Sequence, residues 1–153
     1  MTVHYMPEGY STLTPYLLVK DAAALIRFLT EAFGAQELFR MPKPDGTIGH
    51  AELQLGSSRV MLSTACEQWG PTTAMYYLYL PDVDAAYQRA LAAGASSEQE
   101  PKGQFYGDRS ASVRDASGNL WCIGTHVEDV APDELERRAK AAWPPGQSRY
   151  LPT

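Results

Sequence analysis

Cysteine is scarce in this chain. Cys66 and Cys122 are the only two among 153 residues, and they form neither a disulfide framework nor a CxxC pair. That scarcity suits a reducing compartment, so a cytoplasmic location is expected. Long apolar runs are missing as well: nothing approaches ~18 consecutive apolar residues, and Met1 to Tyr10 lacks a basic start followed by an apolar core. Neither a membrane span nor a secretory leader is therefore expected. Positive charge is in short supply, with 13 Lys and Arg against 18 Asp and Glu, a net charge of −5 and no basic block. This excludes a nucleic-acid or anionic-membrane surface as the main partner. No GxGxxG, Walker or HExxH motif occurs, nor any Ser-His-Asp constellation, which removes the common nucleotide and protease readings. What remains is an ordinary globular composition, 44% hydrophobic and 20% charged, at a length that suits one domain.

The chain repeats itself. Leu13 to Val19 reads as a strand, with Pro15 placing it near an edge or a bulge. Asp21 is an N-cap, and Ala22, Leu25, Ile26, Leu29, Ala32 and Phe33 then fall on one helical face, closed by Gly34. Strand patterns follow at 35–41, 48–55 and 59–64, separated by turns at 42–46 and 56–58. Residues 65–73 carry Gly and Pro without periodicity and read as a linker. The same order then returns: a strand at 75–80, the N-cap Asp82, a helix ended by Gly94, and strands at 95–100, 110–114 and 119–125. Asp21 aligns with Asp82 at an offset of 61 and Gly34 with Gly94 at an offset of 60. A tandem βαβββ repeat is the organising feature. Residues 1–11 form a loosely held arm, 12–130 a single domain (modules about 12–64 and 74–127), and 131–153 a short helix and a frayed tail at Pro144-Pro145-Gly146.

Alternation sorts the strands by face. Ala51, Leu53 and Leu55 belong under a helix, as do Leu17 and Val19, Tyr76 and Leu78, and Trp121 and Ile123. The opposite face gathers Tyr16, His50, Glu52, Met75, Tyr77 and Cys122. An aromatic and sulfur-bearing surface with a few polar groups fits a small-molecule cavity; the alternative is the second half of a core.

These residues carry a resemblance. The segments LLVKDAAALIRFLTEAFGA, HAEL, LPDVDAAYQRALAAGA and RDASGNLWCIGTHVEDV resemble the vicinal oxygen chelate superfamily of glyoxalase, bleomycin-resistance and dioxygenase proteins. FYGDR and THVEDV look like its PhnB-like branch. The resemblance covers 12–130 and implies an α+β fold, two tandem βαβββ modules forming a curved mixed eight-stranded sheet shaped as a cup. It also implies a homodimer. Metal-dependent members hold a divalent ion at four strand positions, which correspond here to Thr14, Glu52, Met75 and Cys122. Only Glu52 is of the usual ligand type, so no metal or other cofactor is expected. The function implied is metal-independent binding of a hydrophobic or aromatic small molecule, for sequestration or a metabolic step. The alternative is a divalent-metal-dependent lyase or dioxygenase-like enzyme using Glu52, assisted by His50.

Glu52 among Tyr and Met is expected to have a raised pKa and to act as a general base, or else to pair structurally with Arg59, Arg109 or a tyrosine. Asp108-Arg109 is placed in a loop where Arg109 grips an anionic or carbonyl ligand, or where the two charges brace a turn. Cys122 as a nucleophile needs a basic neighbour, and His126 lies ~13 Å along the strand, so an inert thiol is expected. Tyr16, Tyr77, Tyr79, Phe105 and Tyr106 stack on a planar ligand or pack at a dimer interface.

Overall fold

Two aspartates set the frame. Asp21 accepts a hydrogen bond from the Ala24 N–H at 2.9 Å and Asp82 one from the Ala85 N–H at 3.0 Å. Each satisfies a backbone donor that a helix leaves open at its start. Helix α1 runs Ala22–Phe33 and α2 runs Val83–Ala92. The computed structural model describes residues 3–143; the expected frayed tail at 144–146 lies outside the described residues.

Around the helices lie eight strands: β1 (Tyr16–Val19), β2 (Gln36–Pro42), β3 (Ile48–Leu55), β4 (Ser58–Thr64), β5 (Met75–Tyr79), β6 (Ser96–Gly103), β7 (Asp108–Arg114) and β8 (Leu120–His126), followed by α3 (Pro132–Ala142). The first strand is shorter than its pattern because Pro15 has no N–H to give to a ladder; its carbonyl still accepts from Met61 N. The two modules have the same topology, β1-β4-β3-β2 and β5-β8-β7-β6, with β1 parallel to β4 and β5 parallel to β8. The βαβββ repeat is thus borne out. The eight strands form two four-stranded sheets that share no ladder, rather than one continuous sheet.

The buried halves of the strands match the alternation. Leu17, Val19, Ala51, Leu53, Val60 and Leu62 pack with Leu25, Ile26 and Leu29 of α1. Complete burial of such a side chain is worth about 1.5–3 kcal/mol. In the second module Val113, Trp121 and Ile123 pack with Val83, Ala86 and Ala90 of α2. Side chains join the modules: Phe33 lies 5.7 Å from Trp121 between ring centroids, and Arg89 Nε donates to the Ala32 carbonyl at 3.2 Å. Trp121 stacks on Tyr76 at 4.8 Å and donates Nε1–H to Asp115 at 2.8 Å. That buried carboxylate also accepts from Ser117 N, Asn119 N and Asn119 Nδ2, which ties the Asp115–Gly118 turn to the core.

Candidate functional site

With one face of each sheet under helices, the other is open, and the sequence-predicted residues separate into two groups on it. On the first sheet, Tyr16, His50 and Glu52 are linked in series. Tyr16 Oη lies 3.0 Å from His50 Nδ1, and His50 Nε2 lies 3.1 Å from Glu52 Oε1. If His50 Nε2–H donates to the carboxylate, Nδ1 is left to accept the Tyr16 proton, so the pair fixes one neutral tautomer. The chain of contacts joins Glu52, through His50, to the surface beside Tyr16.

Glu52 does not have the raised pKa expected of it. Tyr10, then His50, hold its carboxyl below the usual range, and these outweigh partial burial. Tyr10 belongs to the arm read as loosely held. Its ring sits over the Arg59 guanidinium at 5.4 Å, and its hydroxyl is buried beside Glu52 at a geometry short of a formal hydrogen bond. Burial first, and Glu52 second, push the Tyr10 hydroxyl up to about 12. Glu52 is therefore an ionised anchor for His50 rather than a poised base.

Next to Tyr16 the open face deepens into a cleft of about 580 Å³. Tyr16 and Leu18 of β1, with Ser63 and Thr64 of β4, form its floor, and Cys66 and Trp69 of the 65–73 connection close one end. Lys43 and Gly49 complete the wall. Sequence reasoning missed Trp69 because its segment has no periodicity; an aromatic inside a Gly- and Pro-bearing connection was the available signal.

The second sheet presents Met75, Tyr77 and Cys122, with Tyr77 directly opposite Cys122 in the ladder. Burial pushes the Cys122 thiol up, away from thiolate reactivity. The centre of this face is Asp108, only 2% exposed. It accepts from Tyr77 Oη at 2.9 Å and Tyr79 Oη at 3.0 Å, and its other oxygen lies 2.9 Å from His126 Nδ1. Burial pushes its carboxyl up, but His126, Tyr77 and Tyr79 together bring it below the usual range. Tyr77 packs flat on Gly124, its Cε1 only 2.7 Å from where a Cβ would stand.

Strand β7 starts two residues earlier than its pattern, so Asp108 and Arg109 lie in the strand and not in a loop. Alternation then sends them to opposite faces. Arg109 faces α2 and clasps Asp84 with two hydrogen bonds of 2.7 Å, so the structure does not bring it to the open face. Phe105 lies elsewhere, and Tyr106 stands between the two places, its hydroxyl acting on Tyr77 and Tyr79 of the second open face while its ring lines a separate groove with Phe105. That apolar groove, of about 450 Å³, is completed by Leu135, Ala139 and Trp143 at α3, with Phe105 and Trp143 edge to face at 4.9 Å.

The family's metal positions fare poorly as a donor set. The Thr14 hydroxyl donates to the Ser11 carbonyl at 3.4 Å, the Met75 thioether is 64% exposed, and Glu52 is engaged by His50. Among the described residues no three His, Cys, Asp or Glu side chains converge. One carboxylate, a protonated thiol, a thioether and a hydroxyl do not fit a hard divalent ion.

Fold and open face together define a class. The sequence model of the Glyoxalase/Bleomycin resistance protein/Dioxygenase superfamily matches residues 3–123, and the chain belongs to that superfamily. A protein of Mycobacterium bovis described as uncharacterized is 39% identical over 135 residues, 81% of this chain and 89% of its own. One from Mycobacterium tuberculosis has the same identity over 79% of its own length. Among solved structures, TioX from Micromonospora sp. ML1 is 31% identical with a TM-score of 0.65, over 76% of this chain and 99% of that one. A glyoxalase/bleomycin resistance protein/dioxygenase from Nocardioides is 21% identical with a TM-score of 0.60, over 86% and 90%, and shares the fold.

Proposed function

We propose that this chain is a metal-independent binding member of its superfamily, in the PhnB-like branch, that holds a small hydrophobic or aromatic molecule on the open face of its sheets. Its role is to sequester that molecule or to present it in a metabolic step. The observation that carries the reading is the 580 Å³ cleft beside Tyr16 and Trp69, a size suited to a small organic ligand. The misfit of the donor set supports independence from metal. A homodimer is part of the proposal, supported by the exposed Met75, Tyr77 and Tyr79 on the second open face, apolar surface that a second copy would cover. No described helix is long and apolar enough to cross a membrane, and a cytoplasmic setting is proposed with the rest.

The test is equilibrium dialysis of chelator-treated protein against a panel of two- and three-ring aromatic compounds. Saturable 1:1 binding, weakened about tenfold by Trp69→Ala and indifferent to added Mn²⁺, Ni²⁺ or Zn²⁺, is expected. Absence of saturable binding across the panel, or binding that depends on the ion, would overturn the proposal.

A further inference from the structure

The cleft carries more information than its size. The protein is acidic overall, at −5, and most of its arginines that meet a partner meet a carboxylate. Arg40 pairs with Glu37, Arg109 with Asp84, Arg114 with Glu98, and Arg138 with Glu128. Lys43 is different. It is half-buried, and among the described residues it forms no salt bridge. Asp45 is close enough to feel its charge, but that carboxylate is occupied by Thr47, through the backbone N–H at 2.9 Å and the hydroxyl at 2.6 Å.

The hairpin that holds Lys43 is rigid where it matters. Lys43 N donates to the Thr47 carbonyl at 2.7 Å. The Lys43 Cγ lies 3.2 Å from where a side chain on Gly49 would begin, so the lysine stem lies across a glycine and along the cleft wall. A larger residue at 49 would displace it. Among the residues lining the cleft, Lys43 is the only cation, and none is acidic. The other polar groups are hydroxyls: Ser63, on a residue 7% exposed, and Thr64, whose Oγ1 accepts from Ile48 N at 3.3 Å and keeps its own proton to give. The lining thus combines one ammonium with hydroxyls that are able to donate and no carboxylate, and Tyr16 and Trp69 supply flat apolar surface beside them. A half-buried ammonium without a carboxylate partner favours an incoming anion, and planar side chains favour a flat one.

We propose that the cleft selects planar aromatic molecules bearing a single negative charge, with Lys43 reading the anion and Tyr16 and Trp69 clasping the ring. This rests on the binding reading above and narrows its ligand class to aromatic acids.

The experiment pairs two probes of nearly equal shape, 2-naphthoate and 2-naphthamide, measured by equilibrium dialysis against wild type, Lys43→Met, Lys43→Arg and Trp69→Ala. Methionine keeps an unbranched stem over Gly49, so loss of fold is not the expected consequence, and circular dichroism checks it. Wild type should prefer the acid about fivefold or more at low salt, as a partly exposed ion pair allows. That preference should shrink with added NaCl, vanish in Lys43→Met and persist in Lys43→Arg. Trp69→Ala should weaken both probes alike. Equal affinity for the two probes, or a preference that survives Lys43→Met, overturns the anion assignment while leaving the binding reading intact. Failure of both probes to bind, or binding untouched by Trp69→Ala, overturns both together.

Discussion

Replacing Asp108 by alanine should be among the most damaging single changes on the open face. The wild-type carboxylate is 2% exposed and takes hydrogen bonds from two tyrosine hydroxyls and one imidazole at 2.9–3.0 Å. A hydrogen bond to a charged partner contributes about 1.5–3 kcal/mol. Tyr79 and His126 are more than half exposed and recover water when the carboxylate goes, so the deeper Tyr77 bond dominates. Asp108→Ala should therefore cost about 2–4 kcal/mol, and Asp108→Asn about half of that, since an amide oxygen in place of Oδ2 still accepts from both tyrosines while the charge and the acceptor facing His126 are lost. For a chain of this length that corresponds to about 10 °C in Tm for the alanine variant. Urea unfolding followed by tryptophan fluorescence, repeated from acid to mildly basic pH, measures it. The pH dependence has two limbs. Asp108 has a lowered pKa in the fold, so its contribution is present above the ordinary carboxylate value and is lost as pH falls through the lower, folded one. His126 has a raised pKa, first through Asp129 and then Asp108, so its contribution is complete below the ordinary histidine value and fades as pH rises through the higher, folded one. Asp108→Asn should flatten the acid limb and shrink the basic one to the part owed to Asp129. A loss under about 0.5 kcal/mol, or a pH profile parallel to wild type, would refute the hub.

Gly107→Ala should cost about 2 kcal/mol or more, because Gly107 sits at φ +97° and a methyl there would strike the Glu128 carbonyl oxygen; a lowered Tm and earlier proteolysis near 128 would show it. Asp115→Ala removes the acceptor of four N–H donors, Trp121 Nε1 among them, and should cost about 3 kcal/mol or more, with loss of the Trp121 signal in near-ultraviolet circular dichroism. Arg109→Met should barely move the Tm, since Arg109 and Asp84 are 41% and 55% exposed and solvent screens their pair, and it should leave aromatic binding unchanged; weakened binding would bring Arg109 back to the site.

The helices and the strand faces were legible because both rest on local chemistry. An aspartate before a periodic apolar run caps a helix wherever it occurs, and alternation has no choice once Leu53 and Trp121 need cover. Asp108 was misplaced by a boundary error of two residues: the glycine of FYGDR ends a turn at Gly107, and the strand starts at once. Extending the alternation back from Val113 and Ala111 would have sent Arg109 to the helix side and Asp108 to the open face. The pKa of Glu52 was not legible, because Tyr10 reaches it from 42 residues away in sequence, along an arm without any pattern. Nor did any local pattern reveal that the eight strands divide into two ladders. Whether β1 and β5 exchange hydrogen bonds is decided by how two finished modules meet.

The division of the sheets also bears on how two copies of this chain can trade parts. All ladder bonds lie within a half: β1 to β4 in one, β5 to β8 in the other. The halves are held together by Phe33 against Trp121, by the meeting of α1 and α2 with the Arg89–Ala32 bond, and by the single connection at 65–74. If two molecules exchanged their second halves, no strand would lose a partner and no buried backbone group would be exposed in the final state. Only the connection would change course. The barrier to exchange is thus the temporary opening of the α1–α2 contact with its Arg89–Ala32 bond and the Phe33–Trp121 seam, and the connection that would have to straighten is the one that brings Trp69 to the cleft.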